Sequence, residues 1–348
     1  MAQRVLISVT SDLSTDQRVN RTATTLKAAG YRVLVIGRVL KTSSEVSPKR
    51  YRTLRFKLWF EKGPLFYASY NIRLFWFLLW HHADILVSND LDTLPANFLA
   101  AKLKRIPLVY DSHEYFTGVP ELANRPKVQK IWKKIERFCL PRVDYAITVN
   151  SSIANLYQQE YKKHFYVVRN VPLITHPFTG DKNILRKELG LPVEKKLIIL
   201  QGAGINIDRG AEELVESMNY LSDCYLLIVG GGDVLSTLKK IVSENNLSDK
   251  IRFISKQPIE ILRKYTAASD IGVTLDKPTN INYRFSLPNK LFDYIQAGIP
   301  ILSSDLPEIK NVIRHYNIGC ICPNHEPKAI ASLIRSEEHT SELQSPCN

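Results

Sequence analysis

The chain has 348 residues, of which 45% are hydrophobic, 23% charged and 9% aromatic, and it carries a net charge of +13. This length predicts two domains, and the apolar content excludes an intrinsically disordered or collagen-like protein. The longest apolar run, Leu74 to Trp80, is far shorter than the roughly 20 residues of a membrane-spanning helix, so the sequence also excludes an integral membrane protein.

The amino terminus and the cysteines indicate the cellular compartment in which the protein works. The first ten residues contain a short apolar stretch without the small-residue cleavage site of an export signal, and we interpret them as a first strand. The five cysteines are scattered and form no C-x-x-C pair, which argues against a zinc site and favours buried, reduced thiols. We therefore expect a cytoplasmic protein.

The positive charge is confined to the first half of the chain. Residues 1–170 contain 27 Lys and Arg against 13 Asp and Glu, whereas residues 171–348 contain 20 against 21. Basic and aromatic residues alternate in segments 50–62 and 127–137, which suits a peripheral position on the anionic inner face of the cytoplasmic membrane. The alternative is a solvated basic face with its aromatic residues in the core. No helix-turn-helix, RNP, KH or zinc-finger signature accompanies the charge, so we expect no nucleic-acid partner.

Strand-like and helix-like segments alternate through the first 160 residues. The predicted strands are Arg4–Thr10, Tyr31–Gly37, Asp84–Ser88, Ile106–Tyr110 and Asp144–Val149, and the predicted helices are Asp16–Ala29, Thr93–Leu103, Lys127–Phe138 and Ser151–Glu160. The first helix ends before Gly30, a residue typical of that position. This order predicts a parallel sheet covered by helices on both faces.

A second alternation begins after Val171-Pro172. Its predicted strands are Lys196–Gln201, Tyr225–Val229, Ile251–Ile254, Ile271–Leu275 and Ile299–Ser303. We therefore predict an α/β chain with two doubly wound domains, residues 1–170 and 171–334. Residues 335–348 interrupt an apolar-periodic helix and resemble the translation of a sequencing adapter. We interpret them as an artefact, which predicts that the natural carboxyl terminus after Ile334 is truncated.

Polar loops follow several strands of the first domain, and ligands of such sheets bind at the carboxyl ends of the strands. The first strand leads into a polar loop with Asp12, in which Asp16 is expected to cap the next helix. Asp90 and Asp92 follow the strand that begins at Asp84, and Asp111, His113 and Glu114 follow the next. A histidine between two acidic loops has its pKa and tautomer set by its neighbours, which favours a functional role for His113.

A glycine-rich loop follows the first strand of the second domain. Gly202 and Gly204 permit a close approach of phosphate to the backbone, and Arg209 adds a bidentate donor at the start of a helix. The loop therefore predicts a diphosphate site, although it is neither a Walker A nor a G-x-G-x-x-G motif. We interpret Gly230-Gly231-Gly232 as a tight turn.

The most specific segment runs from Asn282 to Ser303. It predicts a helix that begins near Pro288 and ends at Gly298. Lys290 and Asp293, three residues apart, share a face of this helix and could hold a phosphate and a sugar diol. The alternative is a surface ion pair between them.

These motifs resemble those of the glycosyltransferase family 4 enzymes of GT-B fold, of the bacterial surface-polysaccharide type. The resemblance covers residues 3–334. It rests on the segments 11–19 (Ser-Asp-Leu-Ser-Thr-Asp-Gln-Arg-Val), 89–94 (Asn-Asp-Leu-Asp-Thr-Leu), 110–115 (Tyr-Asp-Ser-His-Glu-Tyr), 169–172 (Arg-Asn-Val-Pro), 202–210 and 287–295. It implies two Rossmann-like domains facing across a cleft, an acceptor bound by the first domain, a nucleotide-diphosphate sugar bound by the second, and transfer with retention at the anomeric carbon.

The resemblance also implies roles for individual residues. Arg209 corresponds to the basic residue that neutralises the donor diphosphate, helped by Lys290, and Asp293 to the second Glu of the E-x7-E motif, which holds the ribose. His113 corresponds to the residue near the transferred sugar. The other residues implied at the donor are Gly202, Gly204, Ser286 and Leu287, and those at the acceptor are Asp12, Asp90, Asp92 and Glu114.

The chain departs from the family pattern at three positions. Phe285 occupies the place of the first Glu of E-x7-E, and Asp293 shortens the second. Gly204 replaces an Arg that often precedes the diphosphate Lys, which leaves one cation fewer. Ser11-Asp12 stand where a glycine pair is usual, so the resemblance does not define whether this loop contacts the acceptor or the diphosphate.

The resemblance leaves several mechanistic expectations and alternatives. The leaving phosphate is expected to take the acceptor proton, so that retention needs no protein nucleophile, and no metal or cofactor is expected because Asp90-Leu91-Asp92, with D-x-D spacing, lies in the acceptor domain. A sugar-nucleotide 2-epimerase of the same architecture and a non-catalytic nucleotide-sugar-binding protein remain alternatives. An NAD-dependent dehydrogenase is disfavoured because no G-x-G-x-x-G follows a first strand.

Overall fold

The computed structural model describes residues 2–14, 16–41, 43, 48–123, 125–172 and 178–336. The chain divides into two compact units, residues 1–170 and 171–348. Each unit contains one parallel sheet with helices in its crossover connections. The prediction of two doubly wound, Rossmann-like α/β units is therefore confirmed.

The first unit has a seven-stranded sheet in the order β3-β2-β1-β4-β5-β6-β7. Its strands are β1 (Arg4–Ser8), β2 (Arg32–Val39), β3 (Arg52–Lys57), β4 (Ile85–Asn89), β5 (Leu108–Ser112), β6 (Tyr145–Thr148) and β7 (Tyr166–Val167). Its helices are α1 (Gln17–Ala28), α2 (Gly63–Trp80), α3 (Leu94–Lys104), α4 (Pro120–Ala123), α5 (Pro126–Cys139) and α6 (Ser151–Tyr161). The core on one face is formed mainly by β-branched residues, among them Val5, Ile7, Val33 and Val35.

The sequence prediction missed β3 and α2. The edge strand β3 pairs with β2 from Arg52 to Lys57, but it carries three basic residues and only one buried side chain, Phe56, so its alternation is weak. Helix α2 is apolar around most of its circumference. Its buried Tyr70, Leu74 and Leu78 therefore do not stand out as a periodic stripe.

The second unit has a six-stranded sheet in the order β10-β9-β8-β11-β12-β13. Its strands are β8 (Lys196–Gly202), β9 (Cys224–Gly230), β10 (Ile251–Ile254), β11 (Ile271–Thr274), β12 (Ile301–Ser304) and β13 (Gly319–Cys322). Its helices are α7 (Lys182–Glu188), α8 (Ala211–Ser217), α9 (Leu235–Glu244), α10 (Ile259–Ala268), α11 (Ile281–Arg284), α12 (Asn289–Ala297), α13 (Pro307–Tyr316) and α14 (Pro327–Ser336). Apolar clusters cover both faces of this sheet.

Two predicted helix ends are confirmed. Asp16 caps α1 by accepting a hydrogen bond from the backbone N–H of Val19 at 3.0 Å. Gly298 ends α12 with a φ of +66°. The predicted artefact begins inside α14, whose last two residues are Arg335 and Ser336, and its remainder, residues 337–348, lies outside the described residues.

The glycine cluster after β9 packs against the glycine-rich loop after β8. A Cβ on Gly230, which has a φ of +140°, would lie 1.8 Å from the carbonyl oxygen of Gly202, and a Cβ on Gly232 would lie 1.9 Å from that of Ile205. These glycines are needed because two backbones meet there. This cluster therefore has a packing role.

Candidate functional site

Each sheet has one point at which the strand order reverses, and polar side chains of both neighbouring strands meet there. In the first unit this point lies between β1 and β4, and in the second between β8 and β11. Ligands of open α/β sheets bind outside the carboxyl ends of the strands at such points.

In the first unit, His113 and Asp90 form the centre of the cluster. Asp90, with a φ of +57°, directly follows β4, and its carboxylate accepts a hydrogen bond from the backbone N–H of His113 at 2.9 Å. The Nδ1 atom of His113 lies 3.3 Å from Asp90 Oδ2, and Nε2 lies 3.1 Å from the side-chain oxygen of Asn89. Both ring nitrogens therefore face acceptors, an arrangement that suits a doubly protonated imidazolium.

The carboxylates around His113 determine the protonation state of its imidazole ring. Burial alone would lower the pKa of His113, but Asp90 and Asp111 outweigh it and raise that pKa to about 9. Burial also raises the pKa of Asp90, against the opposing effect of His113. The structure thus favours a protonated histidine at neutral pH.

A buried ion pair between Asp111 and Arg18 lies next to this cluster. Asp111 at the end of β5 is 1% exposed, and its Oδ1 lies 2.5 Å from Nη2 of Arg18 on α1. Burial would raise the pKa of Asp111, but His113 and Arg18 hold it below its usual value. Arg18 also donates to the carbonyl of Val168 at 3.2 Å. Sequence reasoning assigned no role to Arg18, because its partner lies 93 residues away.

The remaining residues predicted for the acceptor do not all join His113. Asp92 is buried, and its carboxylate accepts a hydrogen bond from Thr10 after β1 at 2.5 Å, which spans the reversal point. Burial, aided by Asp90, raises the pKa of Asp92 to about 7. Asp12 instead lies 3.2 Å from Arg55 of β3, and the side chain of Glu114 is exposed. Of the four residues predicted for the acceptor, Asp90 and Asp92 thus lie near His113, whose charge opposes the rise in the pKa of both.

In the second unit, Arg209 and Lys290 converge on a carboxylate that the sequence analysis did not single out. Asp276, two residues after β11, is 0% exposed, and its Oδ2 accepts a hydrogen bond from Arg209 Nη1 at 2.9 Å. Its Oδ1 lies 3.6 Å from Lys290 Nζ. The guanidinium of Arg209 also lies over the ring of Tyr283, 4.0 Å from its centroid. Asp276 therefore holds the two predicted diphosphate cations side by side.

The interpretation of Lys290 and Asp293 as a surface ion pair is wrong. Lys290 pairs with Asp276, and burial lowers its pKa although Asp276 opposes that shift. Asp293 instead accepts a hydrogen bond from Gln201 at the end of β8 at 2.9 Å. Gln201 in turn accepts one from Thr266 at 2.7 Å.

A cavity of about 370 Å³ lies beside Asp293. Its polar lining includes Gln201, Asp293 and Gln296 together with the basic Arg263 and Lys264, and Leu262 and Ala267 contribute apolar surface. Such a mixture of a few polar groups and apolar surface is typical of small-molecule sites. All of these residues belong to the second unit.

Several polar atoms near the two cations have no hydrogen-bond partner among the described residues. They are Arg209 Nε, Asp276 Oδ1, which faces Lys290 Nζ at 3.6 Å, and Ser286 Oγ, four residues before Lys290 in the chain. The N-cap residue of α12, Pro288, makes no side-chain hydrogen bond to the amino end of this helix, which begins at Asn289. Buried polar groups are usually paired, so these atoms favour a polar ligand at this place. Leu287, by contrast, packs partly against the apolar core.

The predicted glycines of the phosphate loop differ in their surroundings. A Cβ on Gly202 or Gly204 would meet only ordinary contacts, with no neighbouring atom closer than 3.5 Å. Gly210 is different, because it has a φ of +68° and a Cβ there would lie 2.2 Å from the carbonyl oxygen of Leu275. At Gly210, next to Arg209, the loop after β8 therefore packs directly against the backbone of Leu275, the residue after β11.

The described residues contain no cluster of three or more His, Cys, Asp or Glu side chains that could hold a metal ion. None of the four cysteines in the described part of the chain takes part in a disulfide. Among the described helices, none combines the length and the hydropathy that crossing a bilayer requires.

Solved structures share this fold over nearly the whole chain. Sucrose-phosphate synthase from Thermosynechococcus elongatus matches with a TM-score of 0.76 and 17% identity, covering 99% of this chain and 92% of that one. HepE from Anabaena in complex with UDP and glucose matches with a TM-score of 0.73 and 13% identity, with the same coverage. WaaG, a glycosyltransferase involved in lipopolysaccharide biosynthesis, has a TM-score of 0.71 and 16% identity, covering 98% and 92%. The fold is that of the GT-B glycosyltransferases.

Two family models together match most of the sequence. The model described as Glycosyltransferase Family 4 matches residues 16–171, and the model described as Glycosyl transferases group 1 matches residues 181–347. The chain belongs to the family 4 glycosyltransferases, as its motifs predicted.

Curated relatives match at low identity. N-acetyl-alpha-D-glucosaminyl L-malate synthase of Bacillus anthracis is 24% identical over 244 residues, which are 68% of this chain and 60% of that protein. Amylovoran biosynthesis glycosyltransferase AmsK of Erwinia amylovora is 23% identical over 146 residues, 41% of this chain and 36% of that protein. The matched part of this chain spans less than two thirds of the length of these relatives.

Proposed function

We propose that the protein is a retaining glycosyltransferase of cell-surface polysaccharide synthesis, which moves a sugar from a nucleotide-diphosphate sugar to a glycan or lipid-linked acceptor. The observation that carries the proposal is the convergence of Arg209 and Lys290 on Asp276 at the reversal point of the second sheet. The neighbouring structure HepE, of the same fold, is described in complex with UDP and with UDP-glucose. Membership of the family adds the expectation of glycosyl transfer.

The proposed chemistry follows from the movement of charge. Breaking the sugar–phosphate bond develops positive charge at the anomeric carbon and negative charge on the leaving nucleoside diphosphate. A fixed cation beside the phosphate stabilises the second charge more in the transition state than in the bound donor. Arg209 is that cation, and Lys290 adds a second positive charge. The leaving phosphate takes the acceptor proton, and neither a metal nor a cofactor takes part.

His113 positions the sugar or the acceptor in this proposal. Its pKa of about 9 keeps the ring charged at neutral pH, so it acts through its positive charge and not as a base, with its two nitrogens facing Asp90 and Asn89. Asp90 and Asp92 are the acceptor-side carboxylates. With its pKa raised to about 7, Asp92 offers a carboxyl group that is partly protonated near neutrality.

The donor assignment predicts an effect of Asp293→Ala on nucleotide binding. We expect one class among the UDP-, GDP- and CDP-sugars to stabilise the wild type without metal. The gain is about 2.7 kcal/mol at 100 times the dissociation constant, or roughly 5–10 °C in the melting temperature. In Asp293→Ala this shift disappears, because the variant loses the carboxylate proposed to hold the ribose hydroxyls.

Two variants control this measurement of melting temperature. Asp293→Glu restores the residue usual in the family and should retain the shift, and Asp305→Ala removes an exposed carboxylate of the same unit that pairs with Lys310. Equal shifts in wild type and Asp293→Ala would refute the ribose assignment. A folded wild type that responds to none of the donors would refute the donor site.

We further propose that the protein works in the cytoplasm, attached peripherally to an anionic membrane through α2. One face of this helix exposes four large apolar side chains, Leu65, Ile72, Trp76 and Trp80. Trp76 is 51% exposed and Trp80 is 78% exposed. Large exposed apolar patches mark interaction sites, and aromatic residues with basic neighbours suit the bilayer interface.

The membrane proposal predicts that Trp76→Ala/Trp80→Ala weakens binding to phosphatidylglycerol vesicles at low salt by at least tenfold, because each indole contributes about 1 kcal/mol or more on burial. Cosedimentation measures this. Tyr316→Ala in the second unit, which removes a ring that is 58% exposed, should bind as the wild type does. Wild-type protein that stays in the supernatant would eliminate the proposal.

A further inference from the structure

The first unit contains a second cavity, at the end of its sheet opposite to His113. It has a volume of about 600 Å³ and lies at the amino ends of β1, β2 and β3. Its lining is strongly basic and includes Arg4, Lys27, Arg32, Lys49, Arg50 and Arg52. Among the described residues, no aspartate or glutamate lines it. The roles proposed above make no use of this cavity.

The register of the sheet brings three of these cations to one face. Arg4 of β1 and Arg32 of β2 are direct partners in neighbouring parallel strands. Arg52 of β3 is the partner of Leu34, two residues beyond Arg32. Paired positions and positions two apart point to the same face of a sheet, so the three guanidinium groups extend from adjacent places. Like charges in such positions repel each other.

The described residues offer little to offset this repulsion. None of the six lysine and arginine side chains makes an ion pair with a described carboxylate. Asp84, the nearby acid, accepts a hydrogen bond from the backbone N–H of Arg4 at 2.6 Å and lies 3.9 Å from His82 Nε2. An anion with several charges would remove the repulsion, and the planar fork of arginine matches the geometry of phosphate.

We propose that this cavity binds a multiply charged phosphate group, either a phosphomonoester or a pyrophosphate. The site is separate from the proposed donor site, because it lies at the amino ends of the strands and in the other unit. The proposal does not depend on the glycosyltransferase function. The phosphate has two candidate sources, a soluble phosphate compound or a lipid headgroup. His81 and His82, which follow the exposed Trp80 of α2, also line the cavity.

The test uses the full chain and the variant Arg32→Gln/Arg52→Gln. Both arginines have exposed side chains, so the fold should tolerate their loss. The matched control, Lys187→Gln/Arg314→Gln, makes the same charge change at exposed positions of the second unit. The probes are inorganic pyrophosphate, followed by calorimetry at low salt, and phosphatidate vesicles compared with phosphatidylglycerol vesicles of equal surface charge.

We expect the cavity variant to bind pyrophosphate at least tenfold more weakly than the wild type, and the control variant to bind as the wild type does. Pyrophosphate held at Arg209 and Lys290 would be unaffected by Arg32→Gln/Arg52→Gln, so this comparison isolates the cavity. Without any anion, the cavity variant should melt at least as high as the wild type, because a repulsion has been removed.

The comparison of pyrophosphate with phosphatidate vesicles also identifies the source of the phosphate. Tight binding of pyrophosphate without a preference for phosphatidate vesicles indicates a soluble ligand. A phosphatidate preference that the cavity variant loses indicates a headgroup. The proposal is overturned if the wild type binds neither probe, if the cavity variant binds both as the wild type does, or if the control variant loses as much affinity as the cavity variant.

Discussion

Removing Arg209 together with its carboxylate partner is expected to lower the turnover number by about 10²–10³, the usual loss when one preorganised donor to a developing negative charge is deleted. The variant is Arg209→Ala/Asp276→Asn. Alanine alone would remove the 2.9 Å hydrogen bond to the buried Asp276 and leave it Lys290 at 3.6 Å, so Arg209→Ala is expected to lose stability as well as activity. The double variant separates the loss of catalysis from the loss of folding.

Steady-state kinetics and urea unfolding of the same preparations measure the two effects. We expect the double variant to remain folded with some loss of stability, because Lys290 loses its carboxylate partner, and to lose turnover number more than affinity for the donor. Asp276→Asn alone keeps Arg209 and should lose less activity than the double variant. A double variant that turns over within a few-fold of the wild type would remove Arg209 from the mechanism.

Asp111→Ala is expected to lower the free energy of unfolding by about 3–5 kcal/mol, because it leaves the charge of Arg18 buried without its partner. The pair is almost inaccessible to water, with side-chain exposures of 10% for Arg18 and 1% for Asp111. The control is Arg18→Met/Asp111→Leu, which removes both charges and should be markedly more stable than the single variant. Chemical unfolding measures all three proteins, and a loss below about 1 kcal/mol in Asp111→Ala would contradict this account.

The same cluster predicts how stability depends on pH. The folded pKa of His113, about 9, lies above the unfolded value of about 6.5. Its contribution is therefore fully present below about pH 6.5 and is lost as the pH rises through 9. Asp90 and Asp111 raise this pKa, whereas burial and Arg18 oppose them. Unfolding curves between pH 6 and 9.5 should show this decline in the wild type and a weaker one in His113→Gln.

The sequence predicted the elements whose pattern is local. Buried strands such as β1 and β8 are nearly continuous apolar runs, and Asp16 and Gly298 occupy helix ends that their residue types favour. Helix α2 was not predicted, because its apolar residues surround the axis and leave no stripe. The exposed half of that surface is the face that we propose for the membrane.

The polar clusters were predicted only in part, since the residues that pair with each other in them are far apart in the chain. Arg209 was found because it lies in a glycine-rich loop, but Asp276 lies 67 residues later in a loop without a motif. Its role becomes visible only when β8 and β11 are known to be neighbours. Likewise, Lys290 and Asp293 share a helix, yet the fold gives them different partners, Asp276 and Gln201.

The most direct test of the central claim is an assay of nucleoside diphosphate release. The protein is incubated with each class of donor in excess chelator, with and without a panel of glycan and lipid-linked acceptors, and the products are analysed. We expect one donor class to release its nucleoside diphosphate in an acceptor-dependent way, with the sugar transferred in its original anomeric configuration. Conversion of the donor into its C2 epimer without an acceptor, or donor binding without any release, would contradict the assignment as a glycosyltransferase.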